Sequence, residues 1–555
     1  LMERYRHQLR FAWNSLKTRP GFTALAVVTM AVGIGANVAI FSVVKTVLLD
    51  PLPYQEPDRL MAIFEWNQPW NNDTNVANPG NVQAWRDGAS SFSNISAVSL
   101  QMPATFVSRG RPEEAMVQYA HPDFFLTLGL EAKVGRTFRT RAAELVEGEV
   151  VLSHRYWQER FGGSREIIGT AAEVNGDPVE IVGVLPPDYV AFGEGTALWV
   201  SMDTFRGDQT SSGRWLWAIG RLDGGATAKQ ANDELRAIAA GLQEEFPDFN
   251  GGWTVNPVPL REHVVGDVRG VLWVLMGAVA LLLLIASVNV ANLFLIRATE
   301  RQKEMAVRSS LGASGSSLAG QLLMESLLVA AVGSTLGIGL AHFGTRLLAA
   351  RIPSAFSLPR VQAAGVDGGV LLIAVGVTIL TGLLFGMIPA LQGASTQPAN
   401  VLNAESRGPS RRTGRLRNAL VVAEVALSLV LLSGAALLGR SLANLLAEDP
   451  GIEPQQVLVG RVNLSGPSYE EEEAQVAFFQ ELVSRIQERA EVEKAGGITF
   501  LPMDGLGAGT SYYPMDRPPP PPDDRRAADI RNVLGDYFGA MGITLLEGRT
   551  FDTRD

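Results

Sequence analysis

Residues Gly270–Ile296, GVLWVLMGAVALLLLIASVNVANLFLI, run for 27 positions without an Asp, Glu, Lys or Arg. A helix rises ~1.5 Å per residue, so about 20 apolar residues cross the ~30 Å hydrocarbon layer of a bilayer. The run is long enough to span it. Outward from it, Gly21–Val44 and Gly368–Leu391 are equally free of charge. Leu318–Leu348 is interrupted only by Glu325, His342 and Arg346, and Asn418–Gly439 only by Glu424. These segments predict a polytopic α-helical membrane protein with five spans, and they explain a mean hydropathy of +0.12 in a chain whose residues are 19% charged. The first of them, at 24 residues, exceeds the ~7–15 residues of a signal-peptide core, and no small-x-small pattern follows it, so it is expected to stay as an anchor.

Basic residues orient the spans. Arg4, Arg6, Arg10, Lys17 and Arg19 outnumber Glu3 ahead of the first span. Arg297, Arg301, Lys303 and Arg308 outnumber Glu300 and Glu304 after the second, and Arg407, Arg411, Arg412, Arg415 and Arg417 outnumber Glu405 after the fourth. The positive-inside rule places these three stretches in the cytoplasm. Residues 50–269 hold 30 acidic and 18 basic residues, and residues 440–555 hold 20 and 11. Alternation from a cytoplasmic N-terminus puts both acidic segments outside a bacterial plasma membrane. The predicted organisation is an amphipathic cytoplasmic segment 1–20, span 21–49, an exterior domain 50–269, span 270–296, a cytoplasmic coupling segment 297–317, spans three and four within 318–391, a basic linker 392–417, span 418–439 and a partial second exterior domain 440–555.

The exterior pattern is α+β. Arg214–Leu222 and Trp253–Leu260 read as strands around a helix at Thr227–Phe246, with Thr227 as N-cap, Pro247 as stop, and Leu235, Ile238, Ala239 and Leu242 on one face. Asn175-Gly176 between two β-rich runs marks a hairpin. Val150–Trp157 predicts a strand turning into a short helix, with Trp157 and Phe161 inward. About 220 residues leave room for two subdomains with their own cores.

An internal repeat organises the chain. DFFLTLGLEAKVGRTF, residues 123–138, recurs ungapped as DYFGAMGITLLEGRTF, residues 536–551, with seven of sixteen positions identical. The second exterior segment is therefore expected to be a second copy of the first domain, with three further spans expected beyond Asp555.

Chemical motifs are few. There is no cysteine, hence no disulfide, thiolate metal site or thiol nucleophile. None of the six lysines follows a glycine, so no phosphate-binding Gly-x-x-x-x-Gly-Lys occurs. His7, His121, His154, His263 and His342 lack ligand spacing, and no Gly-x-Ser-x-Gly or His-Glu-x-x-His is present. Trp66, Trp70 and Trp85 read as core or rim aromatics, with a ligand surface as the alternative, and Pro518–Pro522 as an extended loop. Gly33, Gly35, Ala36, Gly333, Gly337 and Gly339 predict close helix packing. Lys45 reads as a snorkelling residue at a span's edge.

The motif RPGFTALAVVTMAVGIGAN at 19–37, with Val47–Tyr54 and Glu56–Leu60 after it, resembles the duplicated orphan permeases of acidobacterial type, within the MacB/FtsX-like ABC transporter permeases. Gly135–Phe138, Val151–Ser153, Trp157 and Phe161–Gly163 resemble that family's periplasmic core domain. Glu300–Arg308, Leu311–Ser314 and Gln321–Ser326 resemble its FtsX-like permease domain, and Glu424–Leu432 opens the second copy in the same manner.

The resemblance implies a permease that is not itself an enzyme. A separate cytoplasmic ABC ATPase, carrying ATP and Mg, would grip a helix between spans two and three and move the exterior domain, driving efflux or extraction of a hydrophobic substrate, peptide or lipoprotein. No cofactor or metal in this chain and no nucleic acid is implied. The partners implied are membrane lipid, the ATPase, and a periplasmic adaptor or cell-wall protein. An FtsX-like mechanotransmitter acting on a cell-wall hydrolase, and a ligand sensor without transport, are the alternative roles. The coupling helix falls on Arg297, Arg301, Glu304, Met305, Arg308, Leu311 and Gly312, where Glu304 and Arg308 form an i,i+4 pair in the favourable order and Gly312 supplies a stop. Glu325 and Glu424 are ionisable groups inside apolar spans, costly enough to require partners.

Overall fold

A computed structural model describes the 555-residue chain apart from residues 1–9, 11, 68–71, 142–143, 146–147, 188, 190–191, 193–194, 204–212, 301–306, 308–314, 352–359, 361–363, 395–410, 453–455, 465, 470, 504–506, 522–525 and 552–555. It forms two units: Leu1–Asp50 with Val265–Ala447, and Pro51–Val264 with Glu448–Asp555.

The first unit is helical. Its long helices are α1 (Pro20–Val44), α2 (Leu260–Glu300, whose first residues belong to the other unit), α3 (Gly315–Arg351), α4 (Gly368–Ala394) and α5 (Arg411–Ala447). Pro20 opens α1, where its missing N–H would have had no helical partner. Four apolar stretches, Pro20–Leu49, Val268–Ala298, Ala319–Leu347 and Asn418–Ala447, are long enough to cross a membrane. The apolar part of α4, Gly368–Leu384, is shorter, but the helix runs 27 residues, about 40 Å.

Small residues let α1 and α3 touch. A Cβ on Gly337 would sit 2.8 Å from the Ala31 carbonyl oxygen and 2.9 Å from the Gly35 nitrogen, and one on Gly333 would sit 2.7 Å from the Met30 Cβ. Backbone meets backbone there, as the glycine series predicts, although Gly339 has nothing near it. Between α3 and α4, the Ser326 hydroxyl donates to the Gly382 carbonyl (2.9 Å) and the Thr378 hydroxyl to Ser334 (2.7 Å). Lys45 does more than snorkel. It lies in a π-helical turn after α1, and its Nζ donates to Asp50 (2.9 Å) and Asp367 (2.7 Å), while Asp367 also accepts the Val370 N–H near the start of α4.

The second unit is α+β, built on a 12-stranded sheet: β1 Leu60–Asn67, β2 Asn72–Asn75, β3 Phe92–Ser99, β4 Met102–Ser108, β5 Arg111–Ala120, β6 Val134–Gly135, β7 Glu149–Leu152, β8 Ala171–Val174, β9 Asp177–Val184, β10 Leu198–Ser201, β11 Leu216–Leu222 and β12 Trp253–Pro259. The order is β10-β7-β9-β8-β4-β5-β3-β11-β1-β12, with β2 on β1 and β6 on β9. Parallel pairing of β10 with β5 closes the first six strands into a ring. Every ring strand sends alternate residues into one core, among them Phe106, Val117, Val150, Leu152, Val174, Ile181, Leu198 and Val200. The intervening Val151, Val182 and Trp199 join a separate core outside it.

The other four strands, β3-β11-β1-β12, form an antiparallel sheet. Residues 61 and 63 of β1 face a core with Trp85 and Leu235, which lie on helices Pro79–Gly88 and Ala228–Glu245. Residues 60, 62 and 64 face the opposite core with Phe124 and Phe125. The two expected subdomains are thus a ring and a sheet. Thr227 and Gln230 form a capping box at the second of these helices, and Pro247 starts a short further turn where a stop was expected. Asn175 (φ 53°) and Gly176 (φ 94°) make the expected hairpin turn.

The repeat is structural as well as sequential. Asp123 and Asp536 precede short helices, Phe124–Leu128 and Tyr537–Ala540. The following glycines, Gly129 (φ 63°) and Gly542 (φ 71°), both take the left-handed conformation that side chains resist, which is why glycine recurs there. Phe125 packs on Phe138 at 5.0 Å between ring centroids, and Phe538 on Phe551 at 6.2 Å. The strand ahead of each aspartate pairs antiparallel with an earlier one, through Val98↔Ala120 in the first copy and Ile498↔Val533 in the second. Four residues before Val98, Asn94 donates to Asp123 (3.0 Å); four before Ile498, Lys494 lies 3.8 Å from Asp536.

Helix Ala228–Glu245 is also tied to its sheet by charge. The Glu234 carboxylate accepts from the Ser90 and Ser91 N–H groups and the Ser90 hydroxyl, each at 2.8 Å. Burial alone would raise its pKa, but these donors outweigh that and bring it down to about 2 from an ordinary 4.5. A depressed carboxylate stabilises fully above its unfolded value, and that contribution is lost as pH falls from about 4.5 through about 2. Hydrogen exchange of residues 228–245 should therefore accelerate across that window in the wild type. In Glu234→Gln it should be faster already at pH 7, by a local destabilisation of about 1–2 kcal/mol, and show no such acid step.

Candidate functional site

The described residues hold no cluster of His, Asp and Glu able to bind a metal. His121 is buried against Asp123, His154 lies 3.1 Å from Lys133, His263 packs among Phe64, Phe192 and Trp217, and His342 stands on α3 beside Phe343. Trp85 is core, and Trp66 is half-buried under the Arg236 guanidinium. Trp70 and His7 lie outside the described residues.

The site that stands out is a buried ion cluster in the helical unit. Arg297, near the C-terminal end of α2, is 6% exposed, and Glu325, in the third turn of α3, is wholly buried. Arg297 Nη1 lies 3.9 Å from Glu325 Oε2. Arg297 Nη2 donates to the Ser15 carbonyl (2.6 Å) and hydroxyl (2.7 Å), and its guanidinium lies 4.8 Å from the centre of the Phe22 ring, which meets Phe294 edge-on. Gln321, one turn before Glu325, donates to its other oxygen at 3.4 Å. Arg19 pairs with Glu300 nearby.

One guanidinium thus joins the segment before α1, α1 itself, α2 and α3. Its fork of donors suits the task, since a lysine could not serve a carbonyl, a hydroxyl and a carboxylate from a flat, partly apolar pocket. A charge buried in an apolar bundle is costly unless paired, and Glu325 supplies the opposite charge. The residues directly after this junction, from Arg301 to Gly312, are those of the expected coupling segment. Arg301, Glu304, Met305, Arg308, Leu311 and Gly312 lie outside the described residues. Glu424 sits half-exposed on α5, none of whose described residues is buried. Ser15 and Phe22 were not singled out in the sequence. The mark they left there was only proximity to the first span.

Comparison with known families fits this architecture. The MacB-like periplasmic core domain matches residues 23–238, and the FtsX-like permease C-terminal domain matches residues 276–398. The chain is a MacB/FtsX-like permease. Residues of this permease align at 26% identity over 315 positions with "Macrolide export ATP-binding/permease protein MacB" of Shewanella sp. (strain ANA-3), covering 55% of this chain and 46% of that one. A protein of the same description from Acinetobacter baylyi matches at 25% over 331 positions, 58% and 47% of the two chains. The permease therefore spans about half the length of the curated relatives it matches. The crystal structure of the periplasmic region of MacB from Actinobacillus actinomycetemcomitans matches 38% of this chain and 92% of its own, at 13% identity and a TM-score of 0.29. The match to the periplasmic core domain begins inside α1 and covers most of the α+β unit, and the FtsX-like match runs from α2 to just past the end of α4.

Proposed function

We propose that this permease is the membrane subunit of an ABC transporter of the bacterial plasma membrane, with a cytoplasmic N-terminus, whose exterior domain is moved by a separate cytoplasmic ATPase binding ATP and Mg. The cargo would be a hydrophobic small molecule, peptide or lipoprotein handled on the exterior side. The observation that carries this reading is the Arg297 junction. A load applied to residues 301–312 enters α2 where that helix is locked to α3 through Glu325 and to α1 through Phe22 and the preceding segment. A rigid, desolvated joint passes displacement to several helices at once, whereas an exposed pair would yield and be screened. The lack of Gly-x-x-x-x-Gly-Lys supports placing hydrolysis on another subunit.

The test is ATPase stimulation. In a reconstituted complex with the ATPase partner, the double variant Glu304→Ala/Arg308→Ala should lower permease-stimulated ATP turnover roughly fivefold or more, the usual scale of coupling between sites. Basal ATPase activity and permease assembly should be unchanged. Wild-type stimulation in that variant would overturn the coupling reading.

A further inference from the structure

The segment ahead of α1 has two faces. Arg10 and residues 12–17 are helical. Ala12 and Leu16, one turn apart, are 0% and 5% exposed, and Leu16 joins the core formed with Ala26, Phe294 and their neighbours. On the outward side, Arg10, Trp13, Asn14 and Lys17 follow the i, i+3, i+4, i+7 spacing of one helical face, and all four are exposed. Trp13 is 48% exposed, and Lys17 Nζ lies over its ring at 5.3 Å.

We infer that this outward face, Arg10, Trp13 and Lys17, is a contact for anionic phospholipid headgroups, and that it anchors the end of α2 at the membrane surface. Three observations converge. A tryptophan with its body apolar and its N–H available belongs at headgroup depth, and the helix leads directly into a span that begins at Pro20. The face carries only positive charge, and the 20 residues of the segment hold five basic residues against Glu3 alone, the complement of an anionic leaflet. The inward face is bolted to the bundle, through Ser15 to Arg297 and through Arg19 to Glu300. Whatever holds the outward face therefore holds α2 just before residues 301–312. Lipid composition would then set the position from which the coupling segment works. The inference rests on the membrane reading and needs neither the ATPase nor a cargo.

The absence of cysteine gives a clean probe. Asn14→Cys, labelled with an NBD fluorophore in the full-length protein, is placed in nanodiscs of phosphatidylcholine alone or with phosphatidylglycerol. Quenching by acrylamide, a neutral molecule, should fall about twofold or more in the anionic discs, and the difference should vanish in 1 M salt or in the exposed double variant Arg10→Gln/Lys17→Gln. Equal quenching in both lipids, as a protein neighbour or an uncharged surface would give, overturns the inference. So does a lipid difference that survives in the double variant. Failure of the protein to incorporate into discs would instead overturn the membrane reading itself.

Discussion

Replacing Glu325 by alanine should destabilise the permease by about 3–5 kcal/mol, because the Arg297 guanidinium would be left buried without its counter-charge. Arg297→Ala should cost a similar amount, since it strands the carboxylate and also removes the donors to Ser15. Arg297→Met combined with Glu325→Leu should be far milder than either, within about 1–2 kcal/mol of wild type, because shape is kept and no charge remains to desolvate. Unfolding followed in detergent or nanodiscs gives the double-mutant cycle. Single and double variants of equal cost would mean that the two side chains do not interact. The restored double variant carries a second use. If the ion pair only holds the fold, ATPase stimulation returns with stability; if its directional bond transmits load, stimulation stays low in a stable protein.

The second large effect lies in the α+β unit. Asp123 receives Arg86 at 2.7 Å, Asn94 at 3.0 Å and Ser96 at 2.5 Å, and the His121 ring nitrogen lies at 2.5 Å. Burial would raise its pKa, but His121 and Arg86 outweigh that and hold it well below the ordinary carboxylate range. Its stabilising contribution is therefore complete above that range and is lost only on strong acidification. Asp123→Ala should cost about 3–5 kcal/mol, leaving a buried arginine and several donors unanswered. The repeated aspartate provides the control. Asp536 is half-exposed and its only cation in the described residues, Lys494, is 3.8 Å away, so Asp536→Ala should cost under about 1 kcal/mol. Comparable losses at the two positions would show that the shared aspartate acts through the local turn, not through its charge partners.

Much of this architecture was legible residue by residue, because its signals are local. Charge-free runs marked the helices of the membrane unit, Asn175-Gly176 marked its hairpin, and Thr227 marked a helix start by a bond that spans three residues. What stayed hidden depends on distant pairings. Arg297 was read as a cytoplasmic loop residue because the charge-free run stops at Ile296, yet α2 continues to Glu300 and the residue turns inward to Ser15, 282 positions away. Glu325 announced the need for a partner without naming one. The ring closed by β5 and β10 is of the same kind, since each strand alone shows only alternation, and nothing in either fixes which strand completes the circle.

The closed ring and the far edge of the sheet together limit how another protein can take hold. A ring has no unpaired strand, and the opposite boundary, β12, carries Pro257 and Pro259 on the same side as Val255, so two of three successive positions along that side have no N–H to give. β2, the other margin, is four residues of Asn, Asp and Thr. An exterior partner cannot extend this sheet by adding a strand of its own. Recognition there has to be made by side chains on helix faces and hairpin tips, surfaces that can slide and release, which suits a domain built to move.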